Sequence, residues 1–219
     1  MLIYPAVDLS FQGKRTQPWD KTTGHQYRPG QYYNFRENPG LIETSLEDFI
    51  EHSDQQAIKT FFSLLTWING DSSALESTDC MFSGTPKVSN VSAIFDCTHS
   101  SSGRLEFFLR DIWLNKKEAA IRWMLYKLSL YLQIERPDFR KETFGIVPLV
   151  TEYITGDANK HSGHRVCIYF DAHGNGIDDV WHSLEIMFSG LTKALKRMNV
   201  EMISGKSEPI PVKHDKHQL

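Results

Sequence analysis

His161-x-x-His164-x-x-Cys167 sets three metal-capable side chains at equal three-residue intervals. Borderline and soft ligands so spaced hold an ion such as zinc when the backbone turns tightly between them. Here Arg165 to Asp171 reads as a strand, whose successive side chains point to opposite faces. No second cluster supplies a fourth ligand, so the expectation is a polar loop without metal or cofactor. His173 and His182 flank Gly174-Asn175-Gly176-Ile177-Asp178-Asp179. An acid–base pair needs a nucleophile or an orienting group beside it. The plainer reading is a glycine-rich connection into a helix whose first-turn acids suit its dipole. Gly174-x-Gly176 is too short and too acidic to cradle phosphate. Ser100-Ser101-Ser102, near Cys97 and His99, lacks the glycine frame of a strained nucleophile turn and reads as a hairpin turn. Cys80 stands beside Asp79, whose charge disfavours a thiolate. No catalytic residue is assigned.

Charge is the stronger signal. Between Glu37 and Pro86 stand nine carboxylates (37, 43, 47, 48, 51, 54, 71, 76, 79) and one base, Lys59, so fifty residues carry about −8 of a chain whose total is −3. Acids favoured by free N–H groups at helix starts account for some of Glu43, Glu47, Asp48, Glu51 and Asp54. They do not account for Asp71, Glu76 and Asp79. Such polarity suits a face for a cationic partner.

Several elements must position these groups. Thr44 with Glu47, and Ser53 with Gln56, fit capping boxes, giving a short helix at 45–52 and a longer one at 54–68. Ile58, Phe61, Phe62, Leu65 and Ile68 make the buried stripe of the second, and Gly70 closes it. The pattern then becomes β-β-α twice. Val91–Phe95 and Leu105–Leu109 are strand-like around the turn His99–Gly103, and Asn115 with Glu118 caps a helix running to about Glu135. Its inward set is Ile121, Met124, Leu125, Leu128, Tyr131 and Leu132. Phe144–Ile154 and Arg165–Asp171 form the second strand pair. A last helix at about 178–199 turns Val180, Leu184, Met187, Phe188, Leu191 and Leu195 inward. The fold class is therefore α+β: one antiparallel sheet built from two β-β-α blocks, with helices on one face.

Residues 1–40 differ in texture. Leu2 to Phe11 fits a strand broken by Pro5, and Trp19, Tyr27, Tyr32, Tyr33 and Phe35 sit among prolines and glycines. That composition reads as an irregular aromatic N-terminal arm packed on the domain. The domain proper is 41–203, followed by a loose tail, 204–219. At 219 residues, 40 % hydrophobic and 23 % charged, the chain is an ordinary globular protein. A pI near 6.3 argues against nucleic acid as the partner. No apolar run reaches the roughly 18 residues of a membrane span, and Pro5 with no basic leader makes a poor signal peptide. Three widely spaced cysteines, Cys80, Cys97 and Cys167, fit reduced thiols in the cytoplasm.

Ile68-Asn69-Gly70, then Leu75-Glu76-Ser77-x-Asp79-Cys80-x-Phe82-x-Gly84, then Gly103-Arg104-Leu105-x-Phe107-x-Leu109-Arg110-Asp111, resembles a pattern of small bacterial proteins. These are immunity proteins of polymorphic toxin systems, of the contact-dependent growth inhibition or type VI secretion kind. The resemblance covers roughly 55–200 and leaves the aromatic arm unmatched. It implies a protein, not an enzyme, that binds and blocks a cognate toxin domain, with a nuclease's basic cleft as one target. The surface expected to dock is Glu47, Asp48, Glu51, Asp54, Asp71, Glu76 and Asp79, with Trp67 or Trp19 as aromatic anchor. Two alternatives remain from other classes. One is a hydrolase-like enzyme using His161, His164 or His173, which requires their convergence in one pocket. The other is a structural or adaptor protein that self-associates through the arm.

Overall fold

A computed structural model describes residues 2–5, 15–17, 35–36, 38–45, 51–78, 80–83, 86–88, 95–135, 141–154 and 159–205. Three long strands form the middle of its sheet: β6 (His99–Leu109), β7 (Glu142–Ile154) and β8 (Lys160–Gly174). β8 lies between the other two and pairs antiparallel with both, Ile168 standing opposite Leu105 on one side and Ile146 on the other. One edge is a strand broken in three, β3 (Leu75–Ser77), β4 (Met81–Phe82) and β5 (Lys87–Val88), each antiparallel to β6. The pairing slips between these pieces: Leu75 faces Leu109, Met81 faces Arg104, and Lys87 faces Ser100. Such slips are bulges, which bend an edge and blunt its capacity to pair further. The other edge is β1 (Leu2–Pro5) and β2 (Arg15–Gln17), both parallel to β7. The expected strand over Leu2–Phe11 is thus found in its first four residues; the arm's Trp19, Tyr27, Tyr32 and Tyr33 lie outside the described residues.

Helices pack on one face, as the α+β reading required. They are α1 (Gly40–Ser45), α2 (Gln56–Asn69), α3 (Glu118–Glu135) and α4 (Ile177–Ile203). The helix expected at 45–52 falls largely on 46–50, which lie outside the described residues; α1 precedes it. The expected apolar stripes of α2, α3 and α4 are all buried, with Ile58, Leu128, Leu184 and Leu191 fully enclosed. α4 occupies the middle of the helical layer. It runs parallel to α2, since Phe61 meets Phe188 at 4.9 Å and Lys196 Nζ lies 5.6 Å over the Trp67 ring. It runs antiparallel to α3, since Arg197 bonds Glu135 and Lys127 pairs with Glu201 at 2.9 Å. Between α2, α4 and the sheet, Phe61, Phe82, Phe170 and Phe188 stack tilted or edge-on, with Phe82–Phe188 at 5.7 Å. Each such pair contributes about 0.5–1.5 kcal/mol beyond its burial.

Three local expectations are corrected. His99–Gly103 is not a turn but the first half of β6, whose described partners at that edge come from 75–88; 91–94 of the expected strand Val91–Phe95 lie outside the described residues. The Ser53–Gln56 box does not cap α2, which Gln55 precedes without a side-chain cap, while Glu47 of the Thr44 box lies outside the described residues. Asn115 sits in a 3-10 turn, Leu114–Lys116, and bonds both backbone groups of Leu109, accepting from its N–H at 3.0 Å and donating to its carbonyl at 2.7 Å. Asn115 thus extends the sheet by one imitation rung instead of starting a helix.

The face away from the helices is not uniformly polar. Arg165 (2 % exposed), Cys167, Glu106, Thr151, Leu149, Phe108 and Tyr153 are all buried on it. Arg165 donates from Nε to Glu106 at 2.7 Å and from Nη1 to Thr151 Oγ1 at 2.7 Å. Among the described residues no helix is long and apolar enough to cross a membrane.

Candidate functional site

Because α2 and α4 are parallel, their N-termini open at the same end of the molecule, beyond the C-terminal end of β8. Gly174 ends β8 so closely against α4 that a Cβ there would stand 2.7 Å from the Val180 nitrogen, and Gly176 turns the chain with φ +124°. These two conformations are why the connection is glycine-rich. Asp179 Oδ2 accepts from Lys141 Nζ at 2.6 Å and from the Asn175 N–H at 2.8 Å. The Lys141 ammonium, with that backbone donor, holds the Asp179 carboxyl below its usual range.

Gln55, Gln56, Ala57, Asp178, Trp181, His182 and Glu185 line an open hollow of about 200 Å³ at this end. Trp181 and Ala57 are buried and give it an apolar floor. His52 stacks against Trp181 with ring centres 5.2 Å apart. The exposed Asp178 and the half-buried Glu185 line the hollow, and Glu51 and Asp54 are exposed on the segment that carries His52 and Gln55. The result is a concave, carboxylate-rimmed surface with an aromatic base. Free N–H groups of both helix ends add positive partial charge behind those acids and steady them. Asp178 lies about 90 residues beyond the acidic region and reads as an ordinary helix-start acid, and nothing in the local sequence marks Trp181 or Glu185.

Of the rest of the expected acidic surface, the described members do not join them. Glu47, Asp48 and Asp79 lie outside the described residues. Asp71 is exposed but follows α2, about 20 Å along the helix from Asp54. Trp67 is half-buried against the core under Lys196. Glu76 is not a surface residue at all. It stands in β3 opposite Phe108, buried, and accepts from Arg36 Nη1 at 3.1 Å. Arg110, close by, donates to the Gly70 carbonyl at 2.8 Å and closes the end of α2. Burial, then the charge of Arg36, push the Arg110 guanidinium down, with Glu76 and Asp71 opposing. Asp71 and Glu76 are thus part of a mixed cluster with two arginines.

The pattern that carries the resemblance performs structural work. Asn69 donates to Ser77 Oγ at 2.8 Å and accepts from the Ser77 N–H at 3.2 Å, tying the end of α2 to β3. Asn199 continues the clamp from α4, accepting from the Ala74 N–H at 2.8 Å and donating to the Ser72 carbonyl at 3.0 Å. Leu75, Phe82, Leu105, Phe107 and Leu109 are core.

The histidines do not converge. His161 and His173 sit near opposite ends of β8, about 40 Å apart, and His164 faces the other side of the sheet from both. Cys167 is fully buried beside Glu106, and burial first, then that carboxylate, push its thiol well up. Among the described residues no group of three or more metal-capable side chains comes together. Ser101 shares a hydrogen bond with Ser83 at 2.9 Å across the edge of the sheet, as a strand residue would. Comparison with protein-family models, with curated proteins and with solved structures returned no match.

Proposed function

We propose that this chain is an immunity-type inhibitor acting in the bacterial cytoplasm, where it binds a cognate toxin domain and blocks it without catalysis. The carboxylate-rimmed hollow at the paired starts of α2 and α4 is the docking surface in this reading, in place of the longer acidic run read from the sequence. The observation that supports it is a hollow lined by Asp178 and Glu185 over the buried Trp181, with His52 packed on Trp181 and the exposed Glu51 and Asp54 on the same short segment as His52. In this reading the acids of this end steer a basic partner, while Trp181 and Ala57 supply apolar contact. The reading of a hydrolase built on His161, His164 and His173 gains no support from a strand that holds them apart.

The test is a titration of the protein against the toxin domain encoded beside its own gene. The comparison is with the quadruple variant Glu51→Lys, Asp54→Lys, Asp178→Lys, Glu185→Lys. We expect the reversal to weaken association by about 100-fold or more, with most of the loss in the association rate at low salt. Undiminished affinity in the folded variant, or no binding by the unaltered protein, would overturn the assignment.

A further inference from the structure

The opposite end of β8 carries charge of the other sign. Trp113 stands 56 % exposed there, on the turn between β6 and α3. That turn is rigid: Asn115 bonds both backbone groups of Leu109, and the Trp113 N–H is held by Asp111 Oδ1 at 3.1 Å. Gly163 of β8 lets the turn come close, since a Cβ there would lie 3.0 Å from the Asn115 carbonyl oxygen. Lys116 Nζ sits 4.6 Å from the centre of the indole and 3.5 Å from His161 Nδ1, and the His161 ring lies 5.1 Å from the indole at a tilt of 54°. Lys117, next in the chain to Lys116, is exposed. Among the described residues of this turn and the start of α3 the acids are Asp111, spent in part on the Trp113 backbone, and Glu118, paired with Arg122 at 2.5 Å.

We infer that this cluster is a binding site for single-stranded nucleic acid. Beyond its contacts with Lys116 and His161, Trp113 keeps more than half of its surface in water, and the ammonium groups of Lys116 and Lys117 on the same turn select an anion. A nucleic-acid strand offers a flat base to stack on Trp113 and phosphates to meet Lys116 and Lys117. A duplex hides its base faces, and an acidic peptide offers charge without obligatory flat rings, so the combination favours an unpaired strand. The pI of the whole chain argued against nucleic acid, but it averages over both ends, and the acidic hollow sits about 40 Å away, well beyond the screening length at physiological salt. The site shares no residue with the acidic end, and its failure leaves the inhibitor reading untouched.

The experiment is fluorescence anisotropy of a fluorescein-labelled oligothymidylate about twelve nucleotides long, titrated with the full chain at low salt. We expect saturable binding. Trp113→Ala should raise Kd about tenfold or more, and Trp113→Phe should restore part of the loss. The double change Lys116→Ala, Lys117→Ala should flatten the dependence of log Kd on log salt by about 1.4 units, at roughly 0.7 per lost phosphate contact. Absence of binding overturns the proposal, as does equal binding of duplex DNA or of polyglutamate, or an unaltered Kd in a folded Trp113→Ala.

Discussion

Arg165 and Glu106 meet across the β8–β6 ladder, Nε donating to Oε2 at 2.7 Å with side-chain exposures of 2 % and 4 %. A buried pair of this kind adds little over an apolar pair of equal volume, but removing one partner strands the other's charge away from water. Glu106→Gln and Arg165→Leu should each lower the unfolding free energy by about 3–5 kcal/mol in urea denaturation. The double variant Glu106→Leu, Arg165→Met should regain most of that loss. Simple addition of the two single losses would show that the pair is not coupled.

Glu76 and Glu51 separate stability from docking. Glu76 is buried against Arg36, so Glu76→Lys places two cations together and should cost about 2–4 kcal/mol. Glu51 is exposed, and Glu51→Lys should change stability by less than about 0.5 kcal/mol. Thermal unfolding of both variants checks this. A Glu76→Lys protein as stable as the parent would return that residue to the surface.

The helices were legible because their apolar spacing is determined by the layer they bury: each expected inward residue of α2, α3 and α4 is in the core or enclosed beside it. The β7–β8 pair was legible for the same reason at period two. What misled was polarity inside the sheet. His99-Ser100-Ser101-Ser102-Gly103 has the composition of a turn, yet it is strand because β4, β5 and β8 take up its backbone groups. Charge misled in a similar way. Counting acids along the chain placed Glu76 with Glu51, whereas pairing across the sheet buries one and leaves the other at a helix start. Asp178 and Glu185 reach the same hollow through the parallel packing of α2 and α4, a long-range arrangement that local sequence does not encode.

Gly103 offers a direct check on that strand. A Cβ at this position would lie 2.4 Å from the Met81 carbonyl oxygen and 2.4 Å from Phe170 Cζ. The glycine lets the Phe170 ring lie across β6 and join Phe61, Phe82 and Phe188. Gly103→Ala should therefore cost about 1–3 kcal/mol through forced displacement of Phe170 or of β4. In a surface turn the same change would be nearly silent, so a chemical denaturation curve tells the two apart.

His173 sets the acid side of the stability profile. Its ring packs 5.1 Å from Phe95 and its Nδ1 is buried, while its backbone carbonyl accepts from Ser183. Burial pushes the imidazole below its ordinary 6.5, against the opposing charges of Asp171 and Glu142. The unfolded chain then binds more protons than the folded one just beneath 6.5. The contribution is fully present above that value and is lost as pH falls through the lowered folded one. Asp179 and Glu201, whose carboxyls are held down by Lys141 and by Tyr131 with Lys127, add their own losses only in stronger acid. Melting temperatures measured from pH 7.5 to 5 should therefore fall more steeply for the parent than for His173→Gln, which has no proton to gain. Parallel profiles would show that His173 takes up its proton equally in the folded and unfolded chains.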